Sequence, residues 1–255
     1  MPEGDTVYRA AKDLRAALAG QVLTRSDFRV PRFATVDLSG QTVTEVIPRG
    51  KHLLTRTSGD LTIHTHLKME GRWRIRPAIE RVRENYRIRL ILANREWQAA
   101  GYDLGITELL PTSREDEITG HLGPDLLGPD WDPGEAAQRL RADPDRSAGE
   151  ALLDQRNLAG VGNVYKSEIL FLRGIRPWRP VRGIKDVDGL VSLAHRMLDA
   201  NKDRVERVTT GVPRRGQQVW VYGRGGQPCR RCGTRIRQSE LGDRVTYWCP
   251  SCQPD

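Results

Sequence analysis

Four cysteines, Cys229, Cys232, Cys249 and Cys252, are the only ones in the chain, and they fall as C-x2-C-x16-C-x2-C near its end. Two CxxC knuckles presenting four thiolates to one ion form the pattern of a tetrahedral structural zinc site. Two β-like runs lie between them, Thr234–Gln238 and Arg244–Trp248, so the spacing predicts a zinc-clipped hairpin. A unit of roughly 35 residues buries too little surface to fold alone, and metal binding supplies the missing free energy. Two disulfides are the alternative, which a reducing compartment disfavours.

The rest of the chain is bounded by length and charge. At 255 residues, two or three compact units are expected. A hydrophobic fraction of 38% suffices for packed cores and excludes wholesale disorder. No run approaches the roughly 20 apolar residues that cross a bilayer, so no membrane association is expected. The first residues mix acids and bases without an apolar stretch, which speaks against a secretory signal. A cytoplasmic protein is the expectation. The net charge of +8 is uneven: residues 201–255 hold 11 Lys/Arg against 5 Asp/Glu, and the remainder 30 against 28. A basic C-terminal fifth on a nearly neutral body is the electrostatic footprint of a nucleic-acid binder, a solvated Arg-rich surface being the alternative.

Periodicity divides the chain into three. Val7, Ala10, Ala11, Leu14 and Leu18 have helical spacing, with Asp5 or Thr6 as N-cap. Short β-like runs follow at Val43–Ile47, Leu53–Thr57, Leu61–Thr65, Trp73–Ile75 and Tyr86–Leu92, which suggests a β-sandwich. Around Gly123–Pro133 the composition shifts to Gly, Pro and Asp, the texture of a linker. Helical patterns then cover Glu135–Ala142, Ala148–Asn157, Val164–Arg173 and Val187–Lys202, and a polar segment, 203–219, is expected to be mobile. The fold class is therefore α+β multidomain: a β-sandwich with an N-terminal helix (1–122), a helical domain (123–218) and a zinc hairpin (219–255). Trp220, Tyr222, Tyr247 and Trp248 are read as a small core under the hairpin.

Three short segments carry chemistry. In Met1-Pro2-Glu3, removal of the initiator methionine leaves Pro2 with a free secondary amine. An α-amino group titrates near 8 against about 10.4 for lysine, so far more of it is neutral and nucleophilic at pH 7. Its attack on an anomeric carbon gives an iminium, an electron sink that acidifies the neighbouring C–H, and Glu3 stands beside it as general acid–base. In Gly160-Val161-Gly162-Asn163 two glycines permit close backbone approach and Asn163 can cap the next helix, a site for phosphate or simply a helix-hairpin turn. His64 and His66 lie two apart on a strand; with no acidic partner nearby in sequence, they read as structural.

Taken in order along the chain, these segments resemble the formamidopyrimidine-DNA glycosylase/endonuclease VIII family. The resemblance runs from MPEG through Arg49-Gly50-Lys51, His66-Leu67-Lys68-Met69-Glu70-Gly71, Leu153-Asp154-Gln155, GVGN and Val221-Tyr222-Gly223-Arg224 to Gly242–Pro250. It implies a β-sandwich, a helix-two-turns-helix domain and a zinc hairpin, in a monomer that acts on damaged DNA and is nucleoid-associated when bound. It assigns the Schiff-base nucleophile to Pro2, the acid that opens the sugar to Glu3, a phosphate-contacting lysine that assists elimination to Lys51, and δ-elimination with phosphate clamping to Arg244. Asn163 matches a phosphate-binding asparagine. Met69 matches the wedge that fills the void left by the everted nucleotide, with ordinary core packing as the alternative. Lys68 and His121 align with DNA-contacting positions of the endonuclease VIII branch.

The chain departs from the family pattern at position 6, where an acid is common and Thr6 follows Asp5. It also has only Tyr102-Asp103-Leu104-Gly105 where the formamidopyrimidine branch carries an Arg/Phe-bearing loop. The implied activity is a bifunctional glycosylase/AP lyase for oxidised pyrimidines. The rivals are an oxidised-purine glycosylase and a non-catalytic zinc-ribbon DNA-binding protein.

Overall fold

The computed structural model describes residues 2–83 and 85–255. Its contacts divide the chain into two units, one ending at His121 and one beginning at Leu122.

The first unit is a β-sandwich with one long helix. Helix α1 (Gly4–Leu18) buries Val7, Ala11, Leu14 and Leu18, the i, i+4, i+7, i+11 stripe that its sequence predicts. It starts earlier than expected. Glu3, in extended conformation, is the N-cap, and its carbonyl accepts from the Thr6 and Val7 amides at 3.0 and 3.1 Å. Asp5 and Thr6 fall inside the first turn, so Pro2 stands at the helix's positive end.

Eight strands follow: β1 (Arg25–Phe28), β2 (Val43–Arg49), β3 (His52–Thr57), β4 (Leu61–His66), β5 (Arg72–Pro77), β6 (Ile88–Ala93), β7 (Trp97–Tyr102) and β8 (Ile106–Pro111). They form two antiparallel sheets, β1-β6-β7-β5 and β2-β3-β4-β8. Leu53, Ile63, Leu90, Leu92 and Ala99 fill the core with the buried stripe of α1. A short helix, α2 (Asp116–Thr119), follows β8; its preceding residue, Glu115, receives Arg56 in a paired 2.9 and 2.6 Å contact.

The second unit contains α3 (Pro133–Arg141), α4 (Ala148–Leu153), α5 (Asn163–Arg173), α6 (Val187–Asp199), β9 (Arg237–Leu241) and β10 (Arg244–Trp248). Asp132 caps α3 through the Gly134 and Glu135 amides, with Pro133 in the first turn. Residues 123–133 are not a detached linker. Leu126 is fully buried in the helical core and Asp125 pairs with Ala159 in a parallel bridge. α4 stops at Leu153, four residues short of the expected end, because Asp154 is extended and its carboxylate turns to Arg146 and Arg156.

Strand β9 lies three residues later than the sequence suggests. The Cys229 amide donates to the Thr234 carbonyl at 2.8 Å, so the knuckle turn consumes Gly233 and Thr234. Segment 203–219 forms no helix or strand but is hydrogen-bonded, for example from the Val208 amide to Asn201 Oδ1 at 2.7 Å. The expected small core forms in part: Phe171, Val221, Ile236 and Cys249 are buried with Trp220 and Tyr247 against them, whereas Tyr222 meets the Tyr247 ring edge-on outside it and Trp248 packs on Trp178. No helix among the described residues is long and apolar enough to cross a membrane.

Candidate active site and nucleic-acid interface

In the first unit, Pro2 is half-buried and Glu3 fully buried at the N-terminus of α1. The aligned peptide dipoles give that end partial positive charge, which disfavours protonation of an amine placed there. Lys51 occupies the second position of a two-residue turn joining β2 to β3. The register closes at Arg49↔His52, and Gly50 takes φ +58°, a turn position that favours glycine.

Pairing of β3 with β4 sets His52 opposite His66, and β4 with β8 sets His64 opposite Glu108. The sequence expectation that His64 lacks an acidic partner is therefore corrected. Its Nδ1 lies 3.0 Å from Glu108 Oε2, across 44 residues of chain. His64 Nε2 lies 2.9 Å from His52 Nδ1. Burial pushes His64 below its usual range, and takes His52 to about 3 and His66 to about 4, with neighbouring imidazoles and lysines adding to the shift. All three are neutral at pH 7. A carboxylate only accepts, so His64 carries its hydrogen on Nδ1, its Nε2 accepts from His52 Nδ1, and His52 Nε2 is left as an acceptor. The sequence did not single out His52. His121 is exposed with its ring 6.4 Å from that of His52, edge-on. Lys51, Lys68 and His121 thus converge on one neutral imidazole cluster.

The β4–β5 turn carries Lys68 and Met69. Lys68 adopts φ +49°, unusual for a side-chain-bearing residue, and its amide donates to His66 Nδ1 at 2.9 Å. The Gly71 amide closes the turn on the Leu67 carbonyl at 2.8 Å. A Cβ at Gly105 would overlap the Lys68 stem, so the short β7–β8 turn packs directly on this loop. Met69 is 57% exposed, which eliminates the core-packing alternative. Leu67 and Gly71 share a cavity of about 280 Å³ with Thr6 and Arg9 of α1.

In the second unit, Gln155 shapes the glycine turn. Its Nε2 donates to the Leu153 and Val161 carbonyls at 2.8 and 2.9 Å, and its Oε1 accepts from the Gly160 amide at 3.0 Å. Only Gly160 takes positive φ; Gly162 is extended and is the N-cap of α5. Asn163 is therefore the first helical residue rather than the cap. Its buried Nδ2 donates to the Val245 carbonyl at 2.8 Å, while its buried Oδ1 has no partner among the described residues. One turn on, the fully buried Lys166 donates to Thr246 Oγ1 at 2.5 Å. The helix thereby holds β10, whose first residue is the half-exposed Arg244. Glu168, also fully buried, accepts the Trp220, Val221 and Tyr222 amides at 2.7, 2.8 and 2.9 Å, and the Thr209 hydroxyl. Neither Lys166 nor Glu168 was read as a site from sequence; each looks like an ordinary polar residue of an amphipathic helix.

The four cysteine sulfurs lie within 4.8 Å of one another. Cys232–Cys249 is 3.5 Å and Cys229–Cys252 3.9 Å. These separations are too long for disulfides and match the roughly 3.8 Å edge of a tetrahedron with metal–sulfur bonds of about 2.3 Å. The donor set fits one structural zinc.

Comparison with known proteins agrees with this layout. The model of the formamidopyrimidine-DNA glycosylase N-terminal domain matches residues 1–103, that of the formamidopyrimidine-DNA glycosylase H2TH domain residues 122–207, and that of the zinc finger found in FPG and IleRS residues 226–254. The chain is 57% identical to the probable endonuclease 8 2 of Streptomyces coelicolor, covering 99% of this chain and 94% of that protein. It is 55% identical to the DNA-(apurinic or apyrimidinic site) lyase Nei2 of Mycolicibacterium smegmatis, over 99% of both. Endonuclease 8 of Escherichia coli is 35% identical, over 99% and 100%. Among solved structures, the Lactococcus lactis Fpg in complex with abasic-site DNA superposes with a TM-score of 0.84 at 24% identity, over 99% of this chain and all of that one.

Proposed function

The chain belongs to the formamidopyrimidine-DNA glycosylase/endonuclease VIII family, and from that premise we propose that it excises oxidised pyrimidines through a Schiff base on Pro2 and cuts the strand by β- then δ-elimination. It is an endonuclease 8-like DNA glycosylase and AP lyase. The observation that carries the finer reading is the pair at the start of α1, an imino acid at the helix's positive end followed by a fully buried carboxyl group.

The anomeric carbon is unreachable in a stacked duplex, so the damaged nucleotide is everted, and Met69 fills the gap it leaves. With Met1 removed, the Pro2 nitrogen attacks C1′, the base departs with a proton, and Glu3 donates a proton to the ring oxygen as the sugar opens. The resulting iminium draws electrons from the C2′–H bond. Loss of that proton expels the 3′ phosphate, and loss of a second proton expels the 5′ phosphate. Lys51 contacts the phosphate flanking the lesion. Arg244 clamps phosphate for the second elimination, and Asn163, Lys68 and His121 contact the DNA. Zinc supplies no chemistry; Cys229, Cys232, Cys249 and Cys252 would hold it to fix the hairpin. The protein works as a monomer. The three-residue turn between β7 and β8, without Arg or Phe, supports pyrimidine over purine lesions.

Borohydride trapping on a thymine-glycol duplex tests this. A covalent adduct is expected with wild type, lost in Pro2→Gly, and weaker on 8-oxoguanine. No adduct from wild type on any damaged or abasic duplex would refute the mechanism; preferential excision of 8-oxoguanine would refute the substrate class.

A further inference from the structure

Outside the residues of the proposed reaction, the outer face of sheet β1-β6-β7-β5 carries a cavity of about 530 Å³ lined by Arg72, Arg74, Arg76, Arg83 and Tyr102. Val82, Ala100 and Tyr102 add a small apolar patch to this lining, backed by the buried Ile88 and Ile91. Gln98, nearly buried, ties the start of the loop after β5 to the sheet by donating to the Ala78 carbonyl at 3.5 Å and to the Glu80 carbonyl. Arg72 and Arg74 lie over the Tyr102 ring at 5.5 and 5.3 Å. Carboxylates answer only part of this charge. Asp103 is 3.5 Å from Arg72 and Glu80 3.6 Å from Arg76, whereas Arg74 and Arg83 make no ion pair among the described residues.

We infer that this groove binds a second stretch of the DNA, holding its sugar–phosphate backbone away from the lesion. Alternate residues of β5 set the Cα atoms of Arg72, Arg74 and Arg76 about 6.8 Å apart along the strand. A row of arginines along one strand suits a polymer that carries one charge per repeat. The Tyr102 ring and the small apolar patch beside a cationic wall match a strand that is apolar on its sugar and base faces and anionic along its edge. The row begins one residue after Gly71, so it leads off from the Met69 loop along β5. Protection of the edge strand β5 would need charge but neither a cavity nor an aromatic platform. The inference rests on the DNA chemistry proposed above only for the identity of the polymer.

The test measures affinity of the full chain for undamaged duplexes of about one and about three helical turns across a salt series. Arg74 and Arg83 are exposed, and the Arg74→Glu/Arg83→Glu variant is expected to lower the salt slope on the long duplex by about 2, at about 0.9 for each phosphate no longer neutralised. Its affinity for the long duplex should fall tenfold or more, with the short duplex and borohydride trapping on a short lesion duplex unchanged. The Lys/Lys variant should restore the slope, and the Gln/Gln variant gives the same reading if the charge reversal does not fold. An unchanged slope on long DNA in the folded variant would overturn the inference. So would a fluorescent nucleoside triphosphate that binds wild type but not the variant while the DNA slope stays the same. Loss of trapping in wild type itself would instead overturn the proposed function.

Discussion

Glu168→Gln removes the charge from the buried carboxylate that anchors segment 209–222 on α5 while nearly preserving its shape. Oε1 accepts the Val221 and Tyr222 amides, and Oε2 accepts the Trp220 amide and the Thr209 hydroxyl. An amide has one oxygen, so one pair of donors must face an NH2 group. The less costly orientation keeps oxygen on Val221 and Tyr222, because the Thr209 hydroxyl can turn to the Gln218 carbonyl 3.1 Å away. That leaves the Trp220 amide orphaned, at about 1–3 kcal/mol, and removes charge assistance from two bonds, at about 0.5–1 kcal/mol each. Relief of burying a charge offsets part of this, and a net loss of about 3 kcal/mol is expected from a total of about 5–15. Urea denaturation followed by Trp220 fluorescence measures it. The exposed Glu135→Gln, which breaks a helical i,i+4 pair with Arg139, serves as control at under about 1 kcal/mol. A Glu168→Gln loss no larger than that control would refute the view that these donors depend on the carboxylate.

Chelation of zinc should unfold the hairpin and weaken DNA binding without touching the first unit; intact Trp248 fluorescence and affinity after complete metal removal would contradict this. Asp154 is held well below the usual carboxylate range, chiefly by hydrogen bonds from Arg156 and also from Arg146. A depressed folded-state value stabilises above the unfolded value near 3.9 and fades as protons bind, so the stability gap between wild type and Asp154→Asn should be full at pH 7 and shrink below about pH 4. A gap independent of pH would assign the role to packing. Met69→Ala should leave the melting temperature nearly unchanged and slow excision at least tenfold; a large melting shift would return Met69 to a structural role.

Much of the second unit is legible in the residues themselves. The cysteine spacing names the metal and the hairpin, and the apolar stripes of α3, α5 and α6 are regular enough to place those helices. The sandwich is harder to read. β1 is a polar edge strand in which only Phe28 is buried, and β7 runs through Ala99-Ala100-Gly101, poor β-formers that suit the site because Leu104 and Trp73 press on Gly101. Contacts made through pairing leave no local trace. Glu108 meets His64 only because β8 lies beside β4, and Asn163 looks like a cap until β10 offers it a carbonyl.

The bonds from Asn163 to Val245 and from Lys166 to Thr246 mean that the helical segment and the cysteine hairpin, separable as sequence profiles, are not interchangeable parts. Transplanting the hairpin from a relative would leave a buried ammonium facing whatever the donor carries at that strand position. Chimeras in this family should therefore be cut outside the stretch from α5 to β10, and substitutions at positions 166 and 246 should be made as pairs.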